Sequence, residues 1–173
     1  SIGPVVGTGS GFWHAYQARS SRRREEMFRA GDVFAGSTQN MAMLRSAFVE
    51  IGGFDVAFAG YGFEDRDILM RLSGIGNVAW VCTGVRHMDE LHLAEVCSKM
   101  REAGGGNARE FSLRYPEAYR RLGYASVDAR LKPGLRPIAR ALGALSAATA
   151  KWTDACLELE WIPFALRAAA VRG

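Results

Sequence analysis

Apolar residues recur at helical spacing in several stretches of the chain and gather into short runs in others. Residues 11–29 set Phe12, Trp13, Tyr16, Met27 and Phe28 among arginines and glutamates, which predicts a helix that Gly31 and Asp32 break. Residues 1–10 ahead of it predict a short strand or extended entry with glycine turns. Residues 33–44 (VFAGSTQNMAML) predict a strand interrupted by small polar residues. From Ser46 a short helix runs through Phe48, Val49 and Ile51 to Gly52-Gly53, a C-cap. Residues 54–63 predict a glycine-punctuated loop carrying Phe54, Phe58, Tyr61 and Phe63.

A second helix starts at Glu64, with Ile68, Leu69 and Leu72 at helical spacing and Gly74 and Gly76 at its end. Its first turn holds Glu64, Asp65 and Asp67, whose charge suits the positive end of a helix dipole. Residues 77–86 (NVAWVCTGVR) predict a buried strand, with His87 directly after it. Residues 90–103 and 107–122 predict two helices around Gly104-Gly105-Gly106, and Pro116 is placed to start a final turn. In the tail, Leu135, Ile138, Leu142, Leu145, Thr149, Trp152, Cys156 and Leu159 alternate spacings of three and four up to Pro163. A helix docked on the core is the usual meaning of such a stripe. A membrane-surface helix is the alternative, because Arg136, Arg140 and Lys151 flank it.

Composition narrows the class. A chain of 173 residues with 49% hydrophobic and 23% charged content is long enough for a true core and ordinary for a globular protein. Cys82, Cys97 and Cys156 form no C-x-x-C pair, which argues against a zinc ribbon or a disulfide framework and points to reduced thiols in the cytoplasm. No charged start leads into an apolar run, so no signal peptide is expected. No apolar stretch reaches the roughly eighteen residues that span a bilayer. The chain opens mid-pattern on Ser1, and is expected to be a piece of a longer protein. The net charge is +4, with base concentrated at Arg19, Arg22, Arg23 and Arg24 and at Arg130, Lys132, Arg136 and Arg140. These clusters suit an anionic partner or are two solvated faces. They lack interleaved aromatics, and no nucleic acid partner is expected. Gly7-Thr8-Gly9-Ser10-Gly11 imitates a nucleotide-binding glycine loop. Pro4 interrupts the strand before it, and no acidic residue closes a following strand to hold a ribose.

Chemistry concentrates at Gly60-Tyr61-Gly62-Phe63-Glu64-Asp65. Glycine lets backbone approach a ligand closely, and aromatic faces suit sugar rings. An ionised carboxylate at the following helix start can accept a proton from an attacking hydroxyl. His87 at a strand end, and His92 five residues on, are reasonable ligands for a divalent cation. Each residue also has a plainer reading. The acids can stabilise a surface helix, His87 can be a satisfied histidine, Asn40 a turn former, and Tyr61 and Phe63 core rings. His14, beside Trp13, reads as structural.

The run from 36 to 72, GSTQNMAMLRSAFVEIGGFDVAFAGYGFEDRDILMRL, resembles the C-terminal block of family 2 glycosyltransferases and the galactosyltransferase C-terminal domain. Its elements are a small-residue segment ending in Asn40, Arg45 and a short helix, then Gly52-Gly53-Phe54-Asp55, Gly60-Tyr61-Gly62-Phe63, Glu64-Asp65-Arg66-Asp67 and Arg71-Leu72. With a histidine after the next strand, the resemblance covers roughly residues 33–92. It implies an α/β fold: part of a GT-A-like mixed sheet with flanking helices over residues 1–125, and a helical extension over 126–173. It also implies inverting transfer from a nucleoside-diphosphate sugar to a hydroxyl acceptor, a glycan or lipid-linked saccharide at the inner membrane face. In that scheme Asp65 is the base and Glu64 contacts acceptor hydroxyls. Asn40 lies near the donor, and Gly60, Tyr61, Gly62, Phe63 and Asp67 contact substrate. His87, with His92 in reserve, joins the Mn²⁺ or Mg²⁺ that holds the diphosphate. Two departures stand out. A β/α unit ending in Asp-x-Asp should precede residue 33, where only 32 residues are present, so this stretch alone is not expected to bind the donor properly. Asp65-Arg66-Asp67 matches Asp-x-Asp in form but belongs to the helix start. The competing class is a carbohydrate-binding module without catalysis.

Overall fold

The computed structural model describes residues 1–8, 12–89, 93–126 and 128–138, with single positions at 141 and 144. His92, the glycine-rich residues 9–11 and the tail positions expected to form a stripe from Leu142 to Leu159 lie outside the described residues. The fold is α/β: helices accompany a two-stranded parallel sheet, an arrangement consistent with the expected partial GT-A-like domain. The chain divides into two compact units, Ser1–Val56 with Glu64–Glu90, and Ala57–Phe63 with Leu91–Gly173.

In the first unit β1 (Val5–Gly7) pairs with β2 (Val85–His87), Val5 opposite Val85 and Gly7 opposite His87. Helix α1 (Phe12–Arg29) follows β1 and packs on it. Helix α2 (Arg45–Glu50) ends at Gly52 and Gly53, both at positive φ (78° and 75°), and the Gly53 amide donates to the Phe48 carbonyl at 2.9 Å. A left-handed pair of glycines closes the helix at no steric cost and turns the chain into the next segment. Helix α3 (Glu64–Ile75) buries Ile68 and Leu69 completely, against a core that includes Ile2 and Phe34. Each such aliphatic side chain contributes about 1.5–3 kcal/mol on leaving water.

Two sequence expectations fail here for local reasons. Residues 33–44 are not a strand; they form two 3₁₀ turns, Val33–Ala35 and Thr38–Asn40, followed by an isolated bridge from Met41 to Ile2. The Ser37 hydroxyl accepts from the Gln39 amide at 3.3 Å, and such local side-chain bonds compete with a ladder. Residues 77–86 are not a buried strand either. Pairing with β1 begins only at Val85, and Val81 and Val85 are each 37% exposed. Pro4 has no N–H to donate where the ladder would extend. The amide of Asn40 fills this break, donating to the carbonyls of Pro4 and Thr83, both at 2.9 Å.

The second unit is helical: α4 (Leu93–Gly105), α5 (Asn107–Arg114) and α6 (Pro116–Arg121). Pro116 opens α6 as expected, since its missing N–H falls where a helix needs none. Phe63, Phe111, Tyr119 and Tyr124 form a ring cluster with centroids 5.1–6.0 Å apart around Phe63. Beside it lies a buried polar knot. Asp128, wholly inaccessible, accepts from the Tyr119 hydroxyl at 2.9 Å and pairs with Arg130 at 2.7 Å. Burial and Asp128 together push the Tyr119 phenol well up. Burial alone would raise the Asp128 carboxyl, but bonds from Arg130 and Tyr119 outweigh it and hold the group below its usual range.

This knot carries a pH dependence. A carboxyl whose folded pKa is depressed contributes stability above its unfolded value of about 3.9 and loses it as pH falls towards the folded value. Urea midpoints measured at pH 6 and at pH 3 should therefore converge between wild type and Asp128→Asn as the pH falls. A constant gap would show that Asp128 stabilises by packing alone.

Candidate active site

Asp65 sits in the first turn of α3, half-buried. Both of its carboxylate oxygens are engaged. Ser37 Oγ donates to Oδ2 at 3.0 Å, and Thr38 Oγ1 makes a short bond to Oδ1. A carboxylate offers about four lone-pair positions, and these two bonds occupy two of them. The 3₁₀ turn that supplies Thr38 ends at Asn40, so one turn both grips Asp65 and bridges the broken ladder at Pro4. Glu64, one residue before, is half-buried.

Asp67 is placed differently. It is 1% exposed and accepts from Arg71 Nε at 2.8 Å, while Arg71 Nη1 donates to the carbonyls of Ile51 and Gly53, each at 2.7 Å. This carboxylate faces the interior, where it ties α3 to the end of α2, and is not available for the substrate contact expected of it.

His87 ends β2, and Thr8 Oγ1 donates to its carbonyl at 3.1 Å. Its Nδ1 is buried without a hydrogen-bond partner among the described residues, and its Nε2 lies 3.8 Å from the exposed Asp89 carboxylate. An imidazole nitrogen in that state suits a metal ligand. The described residues contain no group of three His, Cys, Asp or Glu side chains arranged to hold a metal. No described hydrogen bond or ion pair joins His87 to Asp65 or to Asn40. His14, read as structural, lies with Nδ1 3.2 Å from the Gly7 carbonyl oxygen.

The loop Gly60-Tyr61-Gly62-Phe63 belongs to the second unit, where α4 and α5 shape it. Asn107, 4% exposed, donates from its side-chain amide to the carbonyls of Gly60 and Gly62, both at 2.7 Å. Glu102 accepts from the Tyr61 amide at 2.9 Å. Gly62 is required twice over: φ is 89°, and a Cβ there would stand 2.8 Å from that of Ala103. Tyr61 is 41% exposed, with the Lys99 ammonium 5.9 Å from its ring centre. Phe63 is 4% exposed inside the ring cluster, so the expected stacking on a sugar is corrected: this ring is core. It also holds φ at +70°, a conformation that costs a non-glycine residue about 1–2 kcal/mol and that its ring packing offsets.

Replacing Asn107 by Ala removes both amide bonds and frees the loop carbonyls. A loss of about 1–3 kcal/mol in urea unfolding is expected, together with faster protease cleavage between Ala59 and Phe63. Unchanged cleavage would mean that glycine and Phe63 geometry alone fix the loop.

A cavity of about 610 Å³ opens elsewhere in the first unit, lined by Met41, Met43, Leu44, Leu72, Ile75 and Val78 among others. Asp65, Asn40 and His87 do not line it. Sequence reasoning gave no role to Ser37, Thr38, Asn107 or Glu102, and named Arg71 only as part of the matched run. Ser37 and Thr38 lay in plain view in the run Gly36–Asn40, but nothing in their spacing ties them to a carboxylate nearly thirty residues on. Asn107, directly after three glycines, carried no signal.

One comparison with known proteins gives a match. The sequence model of a family described as the N-terminal domain of galactosyltransferase matches residues 29–81, which hold Ser37, Thr38, Asn40, Asp65, Asp67 and Arg71. That description corrects the placement at a C-terminal galactosyltransferase domain. No curated protein and no solved structure is significantly similar to the chain. Residues 29–81 are thus similar to a galactosyltransferase domain, and the general activity this indicates is glycosyl transfer.

Proposed function

We propose that the chain supplies the acceptor side of an inverting glycosyltransferase, in which Asp65 takes the proton of the attacking hydroxyl. The observation that supports this reading is the carboxylate of Asp65, oriented by two hydroxyl donors at a helix start within the galactosyltransferase-like segment. A base needs a fixed direction and an open lone pair, and Asp65 has both. As the acceptor oxygen attacks the anomeric carbon, its proton passes to Asp65 and the bond to the leaving diphosphate breaks on the opposite face. Glu64, beside Asp65 at the start of α3, offers acceptors to hydroxyls of the acceptor. In the second unit, Tyr61 is exposed on its clamped loop and is by itself an aromatic face suited to a sugar ring. The acceptor is a glycan or lipid-linked saccharide, and the reaction belongs to the cytoplasmic side of the membrane. Among the described residues no helix is long and apolar enough to cross a membrane.

Asp67 and Asn40 are positioning residues in this scheme. Asp67 anchors α3 through Arg71, and Asn40 completes the sheet edge. A divalent cation, Mn²⁺ or Mg²⁺, would be held in part by His87, whose Nδ1 has no hydrogen-bond partner among the described residues. When bound it neutralises charge on the departing diphosphate. A second reading, a carbohydrate-binding module without catalysis, draws on the Tyr61 loop, whose clamp by Asn107 and Glu102 needs no donor.

The test is release of nucleoside diphosphate by the full-length gene product. UDP-galactose, UDP-glucose and UDP-N-acetylgalactosamine are offered with Mn²⁺ and a panel of simple glycosides. Acceptor-dependent release is expected. Saturable glycoside binding with no release from any donor would establish the binding module instead.

A further inference from the structure

We propose that Ser37 and Thr38 are positioning residues that aim the Asp65 carboxylate, an inference that rests on Asp65 acting as base. The two hydroxyls come from adjacent residues of one turn and meet opposite oxygens of the same carboxylate. Two bonds on two oxygens fix the plane of the carboxyl group as well as its position, which a single bond would leave free to rotate about χ2. The turn is itself held firmly. Ser37 is 6% exposed and caps the turn through the Gln39 amide, and Asn40 at the other end is fastened to Pro4 and Thr83. The grip on Asp65 is therefore anchored in the sheet and not in a loose loop. Ser37 has one proton to give; the Gln39 side-chain oxygen at 3.3 Å is a longer alternative to Asp65 Oδ2 at 3.0 Å, which makes Thr38 the firmer of the two donors.

A plainer role for the same bonds is to tie the turn to α3. The two roles separate by experiment. Full-length protein is compared as wild type, Thr38→Val, Thr38→Ser, Ser37→Ala and Asp65→Asn, using UDP release from UDP-galactose with Mn²⁺ or from whichever donor the panel selects. Thr38→Val keeps the shape and removes the donor. It should lower kcat about 10–100-fold, the scale of a misplaced catalytic group, with donor and acceptor KM within about twofold of wild type. Thr38→Ser should restore most of kcat. Ser37→Ala, should Thr38→Val fail to fold, reads the second donor in the same way with a smaller loss. A lowered melting temperature with unchanged kcat in both Thr38→Val and Ser37→Ala, while Asp65→Asn is inactive, would overturn the positioning role and leave the base assignment standing. An active Asp65→Asn would remove the base assignment itself, and the inference with it.

Discussion

Asp65→Asn is expected to lower acceptor-dependent transfer by about 10²–10⁴-fold, the contribution of a positioned general base, while donor affinity survives. The substitution is nearly isosteric. Its amide keeps one oxygen to accept from a hydroxyl and presents an NH₂ that the other hydroxyl, by rotating, can accept from. The turn at Ser37–Asn40 and the start of α3 should therefore persist, and thermal unfolding should shift little. Lost beyond recovery is the capacity to take a proton from the acceptor at neutral pH. Kinetics should show the loss in kcat and in kcat/KM alike, because the missing interaction exists only in the transition state. Donor binding, read by calorimetry with the nucleoside diphosphate and Mn²⁺, should stay within about threefold of wild type. Turnover near the wild-type rate would mean that Asp65 serves only to pin the 3₁₀ turn to α3, a task its two hydroxyl partners already suit.

Those partners mark the limit of what the sequence made legible. Helix α3 was readable because two signals coincide in it: acids in its first turn and Ile68, Leu69 and Leu72 at helical spacing. The Gly52-Gly53 closure and the Pro116 start were readable because backbone chemistry at those residues has few outcomes. The segment 33–44 misled because its apolar residues suit a strand, while Ser37 caps a 3₁₀ turn locally and Thr38 and Asn40 bond to Asp65, Pro4 and Thr83 far along the chain, none of which periodicity registers. Residues 77–86 misled for a longer-range reason. Their apolar run suits a buried strand, but the neighbour they pair with carries Pro4, and a proline's effect on another segment's ladder cannot be seen from that segment. At the candidate site, Asp65 stood out from its surroundings in sequence. The residues that aim it, and Asn107 and Glu102 that hold the Tyr61 loop, act across 27 to 47 positions of chain. Phe63 shows the same blindness from the other side. An aromatic beside a candidate acidic pair reads as a sugar platform until Phe111, Tyr119 and Tyr124 are seen to enclose it.

The largest effect on stability is expected from the pair beneath α3, and it should be lopsided. Asp67 is 1% exposed, whereas the Arg71 side chain keeps 22% of its surface in water. Arg71→Ala deprives a fully buried carboxylate of its guanidinium and leaves the Ile51 and Gly53 carbonyls without their donor. Breaking a buried pair this way costs about 3–5 kcal/mol. Asp67→Ala strands a cation that can still reach solvent and still holds both carbonyls, so its cost should fall at or below about 3 kcal/mol. Urea unfolding of both single variants and the double should therefore rank Arg71→Ala as the more damaging. The double variant should lose clearly less than the two losses added, since the same pair is counted in each. Equal losses that simply add would place the energy in packing and not in the ion pair. The ranking matters for the site because Arg71 joins the glycine closure of α2 to the helix that presents Asp65. Loosening that joint frees α3 at its buried face, and if Asp65 acts as the proposed base, a displacement of about 1 Å there is expected to cost roughly 10²-fold in rate.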